Sequence, residues 1–195
     1  MTYIIILITV IISIYANRNK FIFEKYKFNA YLTYHKKQWY RLVSHGFLHS
    51  TNSYDHLIFN MLSLFFFGPV LEVYLNSHLL FAVLYLSSIV IASLSSLYKH
   101  KDNYYYNSIG ASGGVSAIIF ACIFFDPMSS IYIMFIPIPV PGFIYGIAYL
   151  VYSQYMSRKN SDNVNHDAHF LGAVYGFIFP LITGAATILD FINHF

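Results

Sequence analysis

The amino-acid sequence predicts an all-α polytopic membrane protein, one domain of six transmembrane helices with a membrane-associated first loop. Three observations lead there. Of 195 residues, 57% are hydrophobic, 20% aromatic and only 10% charged, whereas a soluble domain carries about 25% charged residues. Six apolar segments reach, or nearly reach, the roughly 20 residues that a helix needs to cross a hydrocarbon core of about 30 Å. All eleven basic residues fall in just three connections between those segments.

The expected spans are approximately 1–16, 57–75, 79–97, 109–125, 139–156 and 169–189. The first is short, but no basic residue precedes it and "SIYAN" is a poor cleavage site, so a span fits better than a signal peptide. The second carries one acid, Glu72, and the third no charge at all. Before the fifth, Pro137, Pro139 and Pro141 break the apolar run, so a loop followed by a helix starting near Pro141 is expected, since proline costs a helix least in its first turn. The long connection between the first two spans contains "FNAYLTYHKKQWYRLV". Its aromatic and basic residues, Trp39 and Tyr40 among them, suit a structured segment at the membrane interface.

The charge distribution bears on partners and orientation. Arg18, Lys20, Lys25, Lys27, Lys36, Lys37 and Arg41 lie in the first loop, Lys99 and Lys101 in the third, Arg158 and Lys159 in the fifth. With no soluble basic domain, the net charge of +3 needs no nucleic-acid partner, and the anionic headgroups of the lipid bilayer are the simpler one. Taken literally, the positive-inside rule places these loops in the cytoplasm. Cys122 is the sole cysteine, which excludes an internal disulfide. The histidine pairs 45/49 and 166/169 come without an H-E-x-x-H or a cysteine cluster, so neither a metal nor a cofactor is expected.

Polar side chains at membrane depth are candidates for function. "GASGG", Gly110 to Gly114, opens the fourth span. Gly113, Ala117 and Ala121 form a stripe that would let another helix approach closely. Alternatively, Ser112 is a nucleophile at a helix N-terminus, where unpaired N–H groups can face a developing oxyanion. "NHDAHFLGAVYG" enters the sixth span and puts His169 on one helical face with Gly172 and Gly176, either as a packed histidine or as a base held against a neighbouring helix. At the second span His56 and Asn60, four residues apart, either form a polar helix entry, with His45 and His49 as interface residues, or aim N–H donors at one point. Glu72 is expected to be structural, pairing with a loop base or receiving backbone N–H bonds.

A serine, a histidine and a His/Asn pair on three helices make a complete set for acyl transfer, and here the chain resembles the rhomboid intramembrane serine proteases. The matching pieces occur in the family's order: "WYRL" at 39–42, "FLH" at 47–49, "HLIFNM" at 56–61, "GPVLE" at 68–72, "GASGG" at 110–114 and "AHFLGAVYG" at 168–176. The resemblance implies a rhomboid-like bundle in which Ser112 is nucleophile and His169 base, with His56, Asn60 and the Ser112 backbone N–H around the oxyanion. Gly110, Gly113, Gly172, Gly176, Arg41 and Glu72 would be structural.

The implied reaction is cleavage of peptide bonds in or near transmembrane segments of other membrane proteins, favouring substrates with helix-destabilising residues. The alternative is a catalytically inactive relative that binds membrane helices as a scaffold or quality-control factor. Asp167, two residues from His169, would point away from the base. Helix breaking and the resemblance together imply that the segment 137–142 is a mobile element at a side entrance. Many family members carry a tyrosine four residues after the nucleophile, stacked on the base; this chain has Ser116 there, so another aromatic would have to substitute. The resemblance also implies a cytoplasmic N-terminus with the site opening outward, opposite to the charge rule. The implied location is a bacterial inner (plasma) membrane or an organelle membrane.

Overall fold

The computed structural model describes residues 1–50, 54–132, 138–159 and 164–195. Among them ten α-helices and two short antiparallel strand pairs occur. The main helices are α1 (Thr2–Arg18), α5 (Asp55–Leu75), α6 (His78–His100), α7 (Ser112–Phe125), α8 (Gly142–Lys159) and α9 (His166–Thr183). The first connection folds into α2 (Lys20–Tyr26), β1 (Phe28–Asn29), α3 (Ala30–His35), α4 (Arg41–Ser44) and a 3-10 turn at His45–Phe47. A short α10 (Ile188–Ile192) follows α9.

The boundaries have local causes. Asp55 lies in the first turn of α5, where a carboxylate complements the helix dipole. Asn76, in the left-handed region at φ 45°, ends that helix, and Ser77 caps α6 by accepting from the Leu80 N–H. This two-residue link folds α5 and α6 into an antiparallel pair. Asp55–Leu75 and His78–His100 are both long and apolar enough to cross a membrane.

Three expectations are revised. The chain is mostly helical but not all-α, because β1 pairs with β2 (Asn107–Ser108), and β3 (Ser130–Tyr132) with β4 (Pro139–Pro141). The fourth helix begins at Ser112 rather than 109, because the residues before it are tied to the first loop, Asn107–Ser108 by pairing with β1 and Gly110 and Ala111 by bonds to His45 and His49. The last ends at Thr183, with Gly184 left-handed at φ 68°, instead of running to 189. Pro137 lies outside the described residues; Pro139 and Pro141 belong to the paired strand β4, and α8 begins at the next residue, Gly142.

Helix α7 is the hub. It is apolar on every side, and Gly113 to Ile118 and Phe120 to Phe124 are all buried, as a helix without a polar face requires. The core around it takes Leu64 and Leu71 from α5 and Phe81, Leu84 and Tyr85 from α6. The outer surfaces of α1 and α8 show the reverse, with Ile4, Leu7, Ile11, Ile147 and Val151 all exposed. Helix α1 leans on α5 where Gly68 meets Thr2, closely enough that a β-carbon on Gly68 would strike the threonine.

Candidate active site

Ser112 is the first residue of α7 and is half-buried. The chain reaches it through Gly110, at φ +115°, a conformation L side chains rarely adopt. A β-carbon there would also overlap the His56 imidazole. Two histidines of the first loop hold this approach: the Gly110 N–H donates to the His45 carbonyl at 3.0 Å, and the Ala111 N–H donates to His49 Nε2 at 3.3 Å. Both histidines are buried rather than interfacial.

His169 stands in the first turn of α9, one residue after the Ala168 N–H that the Asn165 side chain caps at 3.1 Å. Glycines set its distance from α7. A β-carbon on Gly172 would collide with the Gly113 carbonyl, and one on Gly176 with the Ala117 carbonyl. The two backbones therefore touch, and the small-residue stripe and the glycine face read from the sequence are two sides of one seam. A cavity of about 850 Å³ lies at its head, lined among others by His56, Gly110, Ser112, Gly113, Asn165 and His169.

Of the expected donors, His56 lines this cavity and Asn60 does not. Asn60 is 5% exposed; its Nδ2 donates to the His56 carbonyl at 2.7 Å and lies 3.4 Å from His49 Nε2. The pair therefore does not converge on one point. Side chains tilt toward a helix N-terminus, which lays Asn60 over the carbonyl four residues back. His49 joins three elements: Nε2 accepts from Ala111, which leaves the proton on Nδ1, 3.0 Å from Ser13 Oγ of α1. Sequence reasoning missed this role, although "FLH" pointed to the residue.

Two further aromatic and acidic contacts complete the surroundings. The ring of Tyr149, on α8, is nearly parallel to the His169 imidazole, with centroids 6.4 Å apart. Its hydroxyl is 2.6 Å from that of Ser116. Asp167 turns from His169 and accepts from Lys99, Ser157 and Ser95. Burial alone would raise this carboxyl, but the bonds from Lys99 and Ser157 outweigh it and hold the group below the ordinary range.

The remaining structural candidates lie away from the cavity. Arg41 is buried and staples the first loop, donating to the carbonyls of Glu24 at 3.0 Å and Lys27 at 2.5 Å and to the Gln38 side chain at 2.6 Å. Glu72 accepts from the Thr2 N–H at 2.6 Å and lies 2.5 Å from Nδ1 of His78, the first residue of α6, so it receives a backbone N–H and its ring partner comes from a helix rather than a loop. Among the described residues no three His, Cys, Asp or Glu side chains are grouped to hold a metal ion.

A hydroxyl, an imidazole and helix-N-terminal N–H groups at one cavity are the parts that acyl transfer uses. A family model described as the rhomboid domain matches residues 36–186. The chain belongs to the rhomboid family. Among curated rhomboids it is similar to "RHOMBOID-like protein 12, mitochondrial" of Arabidopsis thaliana, 28% identical over 151 residues, which cover 70% of this chain and 44% of that protein. It is also similar to "Putative rhomboid protease YdcA" of Bacillus subtilis (strain 168), 29% identical over 149 residues, covering 74% of this chain and 67% of that protein. The chain thus spans less than half the length of the plant rhomboid it matches.

Proposed function

We propose that this rhomboid is an intramembrane serine endopeptidase that cuts peptide bonds in or near transmembrane segments of other membrane proteins. The observation that carries the reading is the α7–α9 seam: backbone contact at Gly113/Gly172 and Ala117/Gly176 brings Ser112 and His169 to the wall of one cavity. In the reaction, Ser112 Oγ attacks the peptide carbonyl carbon as its proton passes to the His169 imidazole. The oxyanion is met by the Ser112 backbone N–H and by His56, and Asn60 reaches it only if its amide turns from the His56 carbonyl. The C–N bond then breaks as His169 returns the proton to the leaving amine, and water hydrolyses the acyl-enzyme by the same relay.

Six spans are part of this proposal. Helix α7 has 14 residues, about 21 Å at 1.5 Å per residue, so its N-terminus would sit below the surface of a hydrocarbon layer about 30 Å thick. The cavity is then the route for water to a buried serine. Substrates would be helices that unwind readily, with glycine, proline or other weak helix formers near the surface. A bacterial plasma membrane is the proposed location, supported by the Bacillus relative; the mitochondrial name of the plant relative supports an organelle membrane instead.

The test is labelling of the purified protein with a fluorophosphonate, comparing wild type with Ser112→Ala and His169→Ala. Labelling of wild type alone is the expected result. A wild type that is folded but unlabelled, or a labelled Ser112→Ala, would sink the assignment.

A further inference from the structure

We infer that Tyr149 of α8, bonded to Ser116 of α7, is a positioning residue for the His169 base. This rests on the Ser112/His169 reading above. The two rings lie 6.4 Å apart between centroids and 18° from parallel, within the span of about 4.5–7 Å where offset aromatic pairs attract. The tyrosine face also favours a cation beside it, and a cation is what His169 becomes when it takes the Ser112 proton.

The ring is fixed from both ends. Its hydroxyl meets Ser116 Oγ at 2.6 Å, and Ser116 is 4% exposed, so this contact is shielded from competing water. Ser116 stands four residues after Ser112, about one helical turn. The nucleophile's own helix thus contributes one of the contacts that hold the tyrosine, and the ring in turn faces the base. Behind the ring, Tyr145 stacks at 5.8 Å and Phe120 closes in at 5.5 Å. Serine at position 116 supplies a hydroxyl that meets a ring arriving from another helix.

The experiment follows fluorophosphonate labelling of Ser112 against pH in the full-length protein, for wild type, Tyr149→Leu, Tyr149→Phe and Ser116→Ala. Loss of the ring in Tyr149→Leu should lower the maximal labelling rate about tenfold at unchanged half-saturating probe concentration. The apparent pKa of the rate profile should move down, because the imidazolium loses a stabilising face while its other ring neighbour, the His166 imidazole at 5.8 Å on α9, stays in place. Tyr149→Phe keeps the ring and should stay within about threefold of wild type, with Ser116→Ala alongside it.

A folded Tyr149→Leu with wild-type rate and an unmoved profile overturns the inference. So does a Tyr149→Phe as slow as Tyr149→Leu, which would make the hydroxyl and not the ring decisive. If Tyr149→Leu does not fold, Tyr149→Met is measured in its place and judged by the same outcomes. Wild-type labelling that does not depend on Ser112 and His169 would instead defeat the protease reading itself, so the two failures are told apart.

Discussion

Gly172 of α9 faces the carbonyl of Gly113 on α7 so closely that a β-carbon on Gly172 would overlap that oxygen. This approach needs glycine on one side and exposed backbone on the other, and it fixes where His169 stands relative to Ser112. Gly172→Ala and Gly176→Ala should each destabilise the protein by about 1–3 kcal/mol, because backbone cannot give way as a side chain can. Thermal unfolding in detergent measures this, and a wild-type midpoint in both variants would show that the helices do not meet as described.

Gly110 makes a second demand on the same site. Its φ of +115° and its contact with the His56 ring mean that Gly110→Ala both strains the chain, by about 1–3 kcal/mol, and displaces His56. Fluorophosphonate labelling should fall by more than tenfold while the protein stays folded in circular dichroism. Unchanged labelling would place His56 outside the chemistry.

Asp167 lies close to the base in sequence, yet its oxygens are occupied by Lys99, Ser157 and Ser95. Asp167→Asn should therefore cost about 1–2 kcal/mol of stability and reduce labelling by less than tenfold. A loss near 10⁴-fold, of the size that removing a triad acid produces, would show that it serves the base after all. Its folded carboxyl is depressed, so its stabilising effect is present above the ordinary carboxylate range and is lost on acidification below it.

The two loop histidines give a different pH window. Burial holds His45 down to about 4, against a smaller upward pull from its bond to the Arg41 carbonyl. Burial, with the charges of His56 and His45, holds His49 to about 3. Unfolded histidines titrate near 6.5, so below that pH the unfolded chain binds more protons and the fold loses stability as pH falls from about 6.5 toward 4. Unfolding midpoints measured across this range should drop steadily in wild type and less in His45→Asn. A flat wild-type profile would mean that these rings are not buried neutral.

A bundle of six spans puts the third loop and the C-terminal end on opposite faces. Membrane-impermeant thiol labelling in intact cells should therefore reach only one of Asn103→Cys and Asn193→Cys, and permeabilisation should expose the other. Labelling of both from outside would remove the six-span reading. Whichever position labels also reports whether the basic loops follow the positive-inside rule.

Much of the bundle was legible in the sequence because its causes are local. The uncharged runs mark the helices, and the proline cluster keeps α8 from starting before Gly142. Glycines spaced at a helical turn marked the α7–α9 seam, since close approach is the main reason for such a face. The ends were less legible. The start of α7 is set by hydrogen bonds from Gly110 and Ala111 to His45 and His49, more than 60 residues away, and no local propensity records a partner so distant.

By itself, the sequence determined the family resemblance, the mostly helical character and the identities of Ser112 and His169 as candidates, because residue type and spacing carry those directly. Only the tertiary structure decided how the candidates are supported. It turned Asn60 onto the His56 carbonyl, made His49 the joint between α1 and the approach to Ser112, and brought Tyr149 from α8 to Ser116 and His169. The physical reason is that such contacts depend on how helices cross at separations of about 8–10 Å. That geometry is fixed by the packing of the whole bundle, which no local stretch of sequence records.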